Sequence, residues 1–278
     1  MALDAARTRQ LPIGVFDSGI GGLTVVRELR RALPNESFLF FGDTARVPYG
    51  PKSAGTVRRF AHQDAAFLMR QGVKLIVVAC NTVSSVALDA LEADFPVPVV
   101  GVVEPGARAA VAQSARGAIG VIGTRATVGS AAYPRAILAM RPDARVEQIA
   151  CPLFVPLVEE GWGDSPVAEE IARHYLAPLQ AKGIDTLVLG CTHYPLMKGV
   201  LARVMGSGVA LVDTAEETAR DVERLLATRD LASSERAGDR YFVSDIPNRF
   251  EDEARAFLGA PLPSVVQVDL EELERANS

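Results

Sequence analysis

The sequence predicts an α/β protein: two similar domains with mainly parallel sheets, pseudo-symmetric about an interdomain cleft that would hold the active site. Three observations predict it. Four apolar, β-branched runs of the first half recur in the second at a near-constant offset, segments of helical apolar spacing lie between them, and polar residues gather where the runs end. Strands alternating with helices imply parallel sheets covered on both faces, which suits continuous apolar strands.

Taken in order, Ile13-Gly14-Val15-Phe16 answers to Ile119-Gly120-Val121-Ile122, an offset of 106 residues. Phe38 to Phe41 answers to Val146 to Ala150, offset by near 108. The run from Leu75 ends in Cys80 and the run from Leu187 ends in Cys191, 111 residues on. Val99 to Glu104 answers to Val209 to Asp213, with the acidic ends 109 apart. Between these runs, Leu23, Val26, Leu29 and Leu33 recur at helical steps, as do Val86, Leu88, Leu91 and Phe95 more loosely. Pro34, Pro96 and Pro142 fall just past helical stretches, where proline belongs.

Beyond the repeat, Arg240 to Ser244 reads as a strand and Phe250 to Leu258 as a helix, with no counterparts. The expected path crosses over near Gly106 and returns near Thr214. Residues 1–106 plus 215–278 would then form a discontinuous first domain and residues 107–214 the second. The charge pattern of Glu216 to Ala227 fits a surface helix making the return.

Composition narrows the function classes. At 278 residues and 49% hydrophobic, the chain supports two folded domains. A net charge of −5 offers no basic footprint for nucleic acid. No apolar stretch approaches the roughly 20 residues of a membrane span. Met1 to Gln10 carries Arg7 and Arg9 with no apolar core behind them, so it reads as a loose tail. Three cysteines, an odd number in a long chain, argue for free thiols in a reducing cytoplasm.

In open α/β sheets, ligands bind beyond the carboxyl ends of the strands. Here those ends read Asp17-Ser18-Gly19, Asp43-Thr44, Cys80-Asn81-Thr82 and Glu104-Pro105-Gly106 in the first half. In the second half they read Gly123-Thr124-Arg125, Cys151-Pro152, Cys191-Thr192-His193 and Asp213-Thr214. Facing edges would enclose a cleft suited to a small molecule.

A lone buried cysteine ordinarily behaves as a small hydrophobe, and Cys151, before Pro152, fits that role. Cys80 and Cys191 differ because they are in register. Cys80 would also open a helix, and a helix N-terminus lowers a thiol below its usual pKa of about 8.5. Asp17 is either a turn former or a carboxylate beside Cys80. Gly19, Gly21 and Gly22 with Asp43 suggest a dinucleotide turn, but Thr24 stands where the third glycine is needed. Backbone amides of such a turn can still hold a carboxylate. His193 suits general acid–base work beside Cys191, and no second cluster completes a zinc site. Pro48-Tyr49-Gly50 would overhang the cleft.

Two acid/base groups in equivalent places imply chemistry from two faces of one substrate, which a racemase requires. The motifs from Gly14 to Gly22, Phe41-Gly42-Asp43-Thr44, Pro48-Tyr49-Gly50, Ala79 to Thr82, Cys151-Pro152-Leu153, Gly190 to Pro195 and Val212-Asp213-Thr214 resemble the glutamate racemase family over nearly the whole chain. The resemblance implies that Cys80 and Cys191 are the catalytic thiols. It implies that Asp17, Ser18, Tyr49, Gly50, Asn81, Thr82, Thr192 and His193 hold the ammonium and carboxylate groups of glutamate. Asp17 and His193 would assist proton transfer, with Glu104 a weaker candidate. No cofactor and no metal are expected. D-Glutamate for peptidoglycan would be the product.

Thr192-His193 resembles the glutamate branch, where aspartate racemases usually carry Thr-Glu; an aspartate racemase is the nearest alternative. A thiol hydrolase using Cys191 with His193 is awkward, because residues two apart on an extended chain point oppositely. A two-domain amino-acid binding protein is the non-enzymatic alternative. Expected partners are a small-molecule substrate, no nucleic acid and no membrane; a homodimer stays open.

Overall fold

The computed structural model describes residues 5–245, 250–262 and 264–274. Ten strands among them form two sheets, and every strand pair is parallel. In chain order they are β1 (Ile13–Asp17), β2 (Phe38–Gly42), β3 (Leu75–Val78), β4 (Val99–Gly101), β5 (Ala118–Gly123), β6 (Arg145–Ala150), β7 (Thr186–Gly190), β8 (Ala210–Asp213), β9 (Arg240–Val243) and β10 (Val265–Gln267). The first sheet runs β10-β9-β2-β1-β3-β4 and the second β6-β5-β7-β8.

The duplication is visible in this order. The second sheet repeats the run β2-β1-β3-β4 of the first, with β5 for β1, β6 for β2, β7 for β3 and β8 for β4. The central strands β1, β2, β3, β5 and β7 are buried throughout, as continuous apolar runs covered on both faces must be. Cys80 follows β3 and Cys191 follows β7, so the two thiols leave their sheets at corresponding ends.

The C-terminal segment adds β9 and β10 to the edge of the first sheet, with Leu39 opposite Arg240 and Gly42 opposite Val243. The helix Phe250–Leu258 lies between them. The sequence pattern marks the strand at 240 but not β10 or the short helix Leu270–Glu274, both too brief for a periodic signal. The N-terminal tail departs from expectation too. Ala5–Arg9 is helical, and Arg9 reaches Asp230 at 2.6 Å. Residues 1–4 of that tail lie outside the described residues.

The chain leaves the first sheet along the helix Val103–Gln113 and comes back through the helix Thr214–Thr228. Gly106 is therefore inside a helix. β4 ends at Gly101, so Glu104 sits in that helix's first turn rather than at a strand end. The returning helix is capped by Asp213, which accepts from the Ala215 amide at 3.0 Å. It is less superficial than its charges suggest: Ala215, Ala219, Val222 and Leu226 are buried, packed against the helix Leu23–Ala32. This face belongs to one apolar cluster running from Val15 and Val77 through Ala219 to Leu187 and Leu189. Truncating Leu226 to alanine would cost about 2–5 kcal/mol by the usual penalty for large-to-small core changes. No helix among the described residues is long and apolar enough to cross a membrane.

Candidate active site

The carboxyl ends of the two sheets enclose a cavity of about 410 Å³. Nine of the ten predicted site residues line it: Ser18, Tyr49, Gly50, Cys80, Asn81, Thr82, Cys191, Thr192 and His193. Asp17 stands behind the wall, fully buried, accepting from the Gly19 amide at 3.0 Å. Glu104 is not among the lining residues; it is exposed and pairs with Arg108 at 3.0 Å.

Cys80 immediately precedes the helix Asn81–Val86, as its neighbours Asn81 and Thr82 suggest. Its thiol lies 3.5 Å from Ser18 Oγ. The expected lowering of this thiol is reversed. Burial first, and the Asp17 carboxylate second, push Cys80 up to about 12, against the hydrogen bonds from Ser18 and the Val83 amide. One short helix does not offset the loss of water around a thiolate beside a carboxylate. Asp17 in turn is raised to about 6 by burial, while the nearby His193 charge and the turn amides hold it down.

The second thiol has different company. No α-helix begins at Cys191; the chain turns after β7 into the short helical turn Tyr194–Met197. His193 adopts helical backbone angles, so the alternation of an extended chain fails there. Its Nδ1 comes within 3.9 Å of Cys191 Sγ, the pairing that an extended geometry disfavoured. Its Nε2 meets Glu159 Oε1 at 2.9 Å. Burial lowers the imidazole, but Cys191 and Glu159 outweigh it and lift His193 to about 10.

Sequence reasoning missed Glu159. It ends the helix Phe154–Glu159, which follows Cys151-Pro152, and no local pattern marks it. Thr124 carried a signal, since it follows β5 as Ser18 follows β1 in the duplication. It bonds Thr82 Oγ1 at 2.9 Å across the cleft. Cys151 is buried outside the cavity, with its carbonyl accepting from Tyr194 at 2.9 Å; burial pushes its thiol up.

Further bonds join the halves around the cavity. The Ala126 amide donates to the Gly50 carbonyl at 3.1 Å, and Tyr133 donates to Asn81 Oδ1 at 2.6 Å. Thr24, the residue that spoils the dinucleotide pattern, donates to the Thr192 carbonyl at 3.0 Å. Two buried polar atoms at the site lack partners, Asn81 Nδ2 and Asp17 Oδ1. Such orphans are costly unless another group satisfies them.

A family model for Asp/Glu/hydantoin racemases matches residues 13–222. The chain belongs to this racemase family. A glutamate racemase of Geobacter metallireducens is 54% identical over 261 residues, spanning 93% of this chain and 97% of that protein. A glutamate racemase of Thermus thermophilus is 55% identical over 265 residues, spanning 94% and 98%. Among solved racemase structures, the Thermus thermophilus glutamate racemase in complex with β-chloro-D-alanine superposes with a TM-score of 0.87 at 53% identity, covering 95% of this chain and 99% of that one. The Francisella tularensis glutamate racemase in complex with D-glutamate gives 0.87 at 38% identity, covering 94% and 97%. An aspartate racemase homologue from Pyrococcus horikoshii, at 18% identity and a TM-score of 0.53, shares the fold alone.

Proposed function

We propose that this chain is a glutamate racemase that interconverts L- and D-glutamate between two thiols, Cys80 and Cys191. The observation that carries the reading is their placement: they leave corresponding strands of two duplicated sheets and line one cavity. Near 50% identity to glutamate racemases over almost the whole chain supports the substrate. The aspartate racemase homologue and the aspartate racemase among the solved structures are 18% and 14% identical and share the fold alone.

In the reaction one cysteine, as thiolate, takes the α-proton. The S–H bond forms as the C–H bond breaks, and the electron pair stays on the α-carbon, spread into the adjacent carboxylate. The other cysteine, as thiol, returns a proton to the opposite face and becomes the thiolate. Cys80, with its raised pKa, rests as the thiol. His193 is within reach of the Cys191 proton, and Glu159 orients its ring. Asp17 and Ser18 serve the same purpose behind Cys80. Asn81 Nδ2, Thr82 and Thr192 supply donors for the substrate carboxylates as charge develops. Tyr49 contributes through its backbone with Gly50, because its hydroxyl is committed to Asp43 and Asp64.

The domain division of residues 1–106 plus 215–278 against 107–214 suits this mechanism, supported by β9 and β10 joining the first sheet. Three unpaired cysteines suit a cytoplasmic enzyme supplying D-glutamate for peptidoglycan. A homodimer is compatible with this reading, and light scattering would read it directly.

A second reading, a thiol hydrolase, gains from the Cys191–His193 contact but leaves Cys80 without a task. Deuterated water separates the two. The wild type should exchange the α-proton of both enantiomers of glutamate while interconverting them. Cys80→Ala and Cys191→Ala should each abolish interconversion. Full activity in either variant sinks the two-thiol reading, and a trapped acyl-enzyme would replace it with the hydrolase.

A further inference from the structure

Behind the cavity wall formed by residues 47–51 lies a buried charged cluster that proton transfer between the cysteines does not use. Arg46 donates from Nε to Asp43 Oδ2 at 2.7 Å and from Nη2 to Asp64 Oδ1 at 2.9 Å. Its remaining Nη1 donates to Gln63. The guanidinium lies over the Phe60 ring, 4.2 Å from its centroid. Tyr49 donates its hydroxyl to Asp43 and contacts Asp64 Oδ2 at 3.2 Å. Ser244, just past β9, donates to Asp43 Oδ1 at 2.8 Å.

The two carboxylates are wholly buried and the Arg46 side chain is 10% exposed. A buried charged network of this kind is a poor source of stability compared with apolar packing, and its best-attested use is to fix one geometry. The connections show which geometry. Asp43 directly follows the end of β2, and Asp64 is on the helix Ala54–Arg70, so one carboxylate is tethered to the sheet and the other to a helix. Arg46 and Tyr49 flank Val47 and Pro48, and residues 47–51 all line the cavity. The same loop offers the Gly50 carbonyl to the Ala126 amide of the opposite half.

We infer that Arg46, held by Asp43 and Asp64, is a positioning residue that sets the cavity wall 47–51 and with it the substrate-facing backbone of Tyr49 and Gly50. The planar guanidinium binds two carboxylates and an amide at once, which an ammonium cannot reproduce. Arg46 touches no reacting atom. Its influence is on where the loop stands when glutamate enters. This inference rests on the glutamate racemase reading for its kinetic consequence, but not for its structural one.

The test uses Arg46→Lys, Arg46→Ala and Tyr49→Phe in the full chain. Hydrogen–deuterium exchange of the unliganded proteins should show faster exchange at residues 47–53 and at the Ala126 amide, with the amides of β1 and β3 unchanged. The KM for glutamate should rise about tenfold or more in Arg46→Ala, with a much smaller change in kcat per folded molecule. Tyr49→Phe should move KM in the same direction. The double variant should do little more than Arg46→Ala alone, because both side chains act through Asp43. Arg46→Lys should not restore KM. Unaltered exchange at 47–53 in the folded variants overturns the inference, and so does an unaltered KM. Lack of glutamate racemisation by the wild type would remove the functional reading and leave the exchange result to decide this one. If Arg46→Ala does not fold, Arg46→Lys and Tyr49→Phe carry both measurements.

Discussion

His193 Nε2 lies 2.9 Å from Glu159 Oε1, and this contact fixes the imidazole with Nδ1 directed at Cys191. An orienting carboxylate behind a general acid–base histidine secures both ring position and protonation. His193→Gln should lower kcat by roughly 10²-fold or more, within the usual range for a positioned acid–base group. Glu159→Gln keeps a hydrogen-bonding oxygen and should lose less. Steady-state rates in both directions check this; equal, negligible losses would mean that the contact is only structural.

Two groups, one acid and one base, should each make stability fall as pH rises. Asp17 is raised from 3.8 to about 6, so its contribution is fullest below 3.8 and is lost as pH rises through 6. His193 is raised from 6.5 to about 10; its contribution is complete below 6.5 and lost as pH rises through 10. Asp17→Asn should flatten the first window, and His193→Gln the second. Thermal midpoints across both windows measure this. A wild-type midpoint that climbs with pH through either window contradicts the assignment there.

Gly21 is required by a close approach rather than by any nucleotide. A Cβ there would overlap Thr192 Oγ1 and stand 2.6 Å from the His193 ring. Gly21→Ala should therefore displace His193 and reduce activity at least roughly tenfold, on the scale of small misplacements at reacting centres. Activity close to wild type would show that the segments separate without cost.

Tyr133 crosses between the halves to Asn81 at 2.6 Å, with both side chains buried. Asn81 already carries one unpartnered atom. Tyr133→Phe leaves Oδ1 unpartnered as well and should destabilise by about 1–3 kcal/mol. Urea denaturation with and without D-glutamate reads this, and a loss below about 0.5 kcal/mol, under the usual cost of an orphaned buried acceptor, would show that water replaces the hydroxyl.

The strands other than β10, the duplication and the two thiols are legible in the chain alone, because each is written in local terms: apolar runs, their spacing and the polar residues that end them. The Cys-Asn-Thr and Cys-Thr-His triplets are legible for the same reason. What surrounds each thiol depends instead on how distant segments pack. The sign of the shift on Cys80 comes from burial beside Asp17, which a helix cap read from sequence cannot weigh. The meeting of His193 with Cys191 needs a turn after β7, and Glu159 reaches it from a helix 34 residues earlier in the chain. Thr24, unhelpful as a failed glycine, binds the Thr192 loop. Local pattern fixes which groups stand at strand ends; desolvation and long-range contact depend on how the two sheets face each other, and these set what the groups can do.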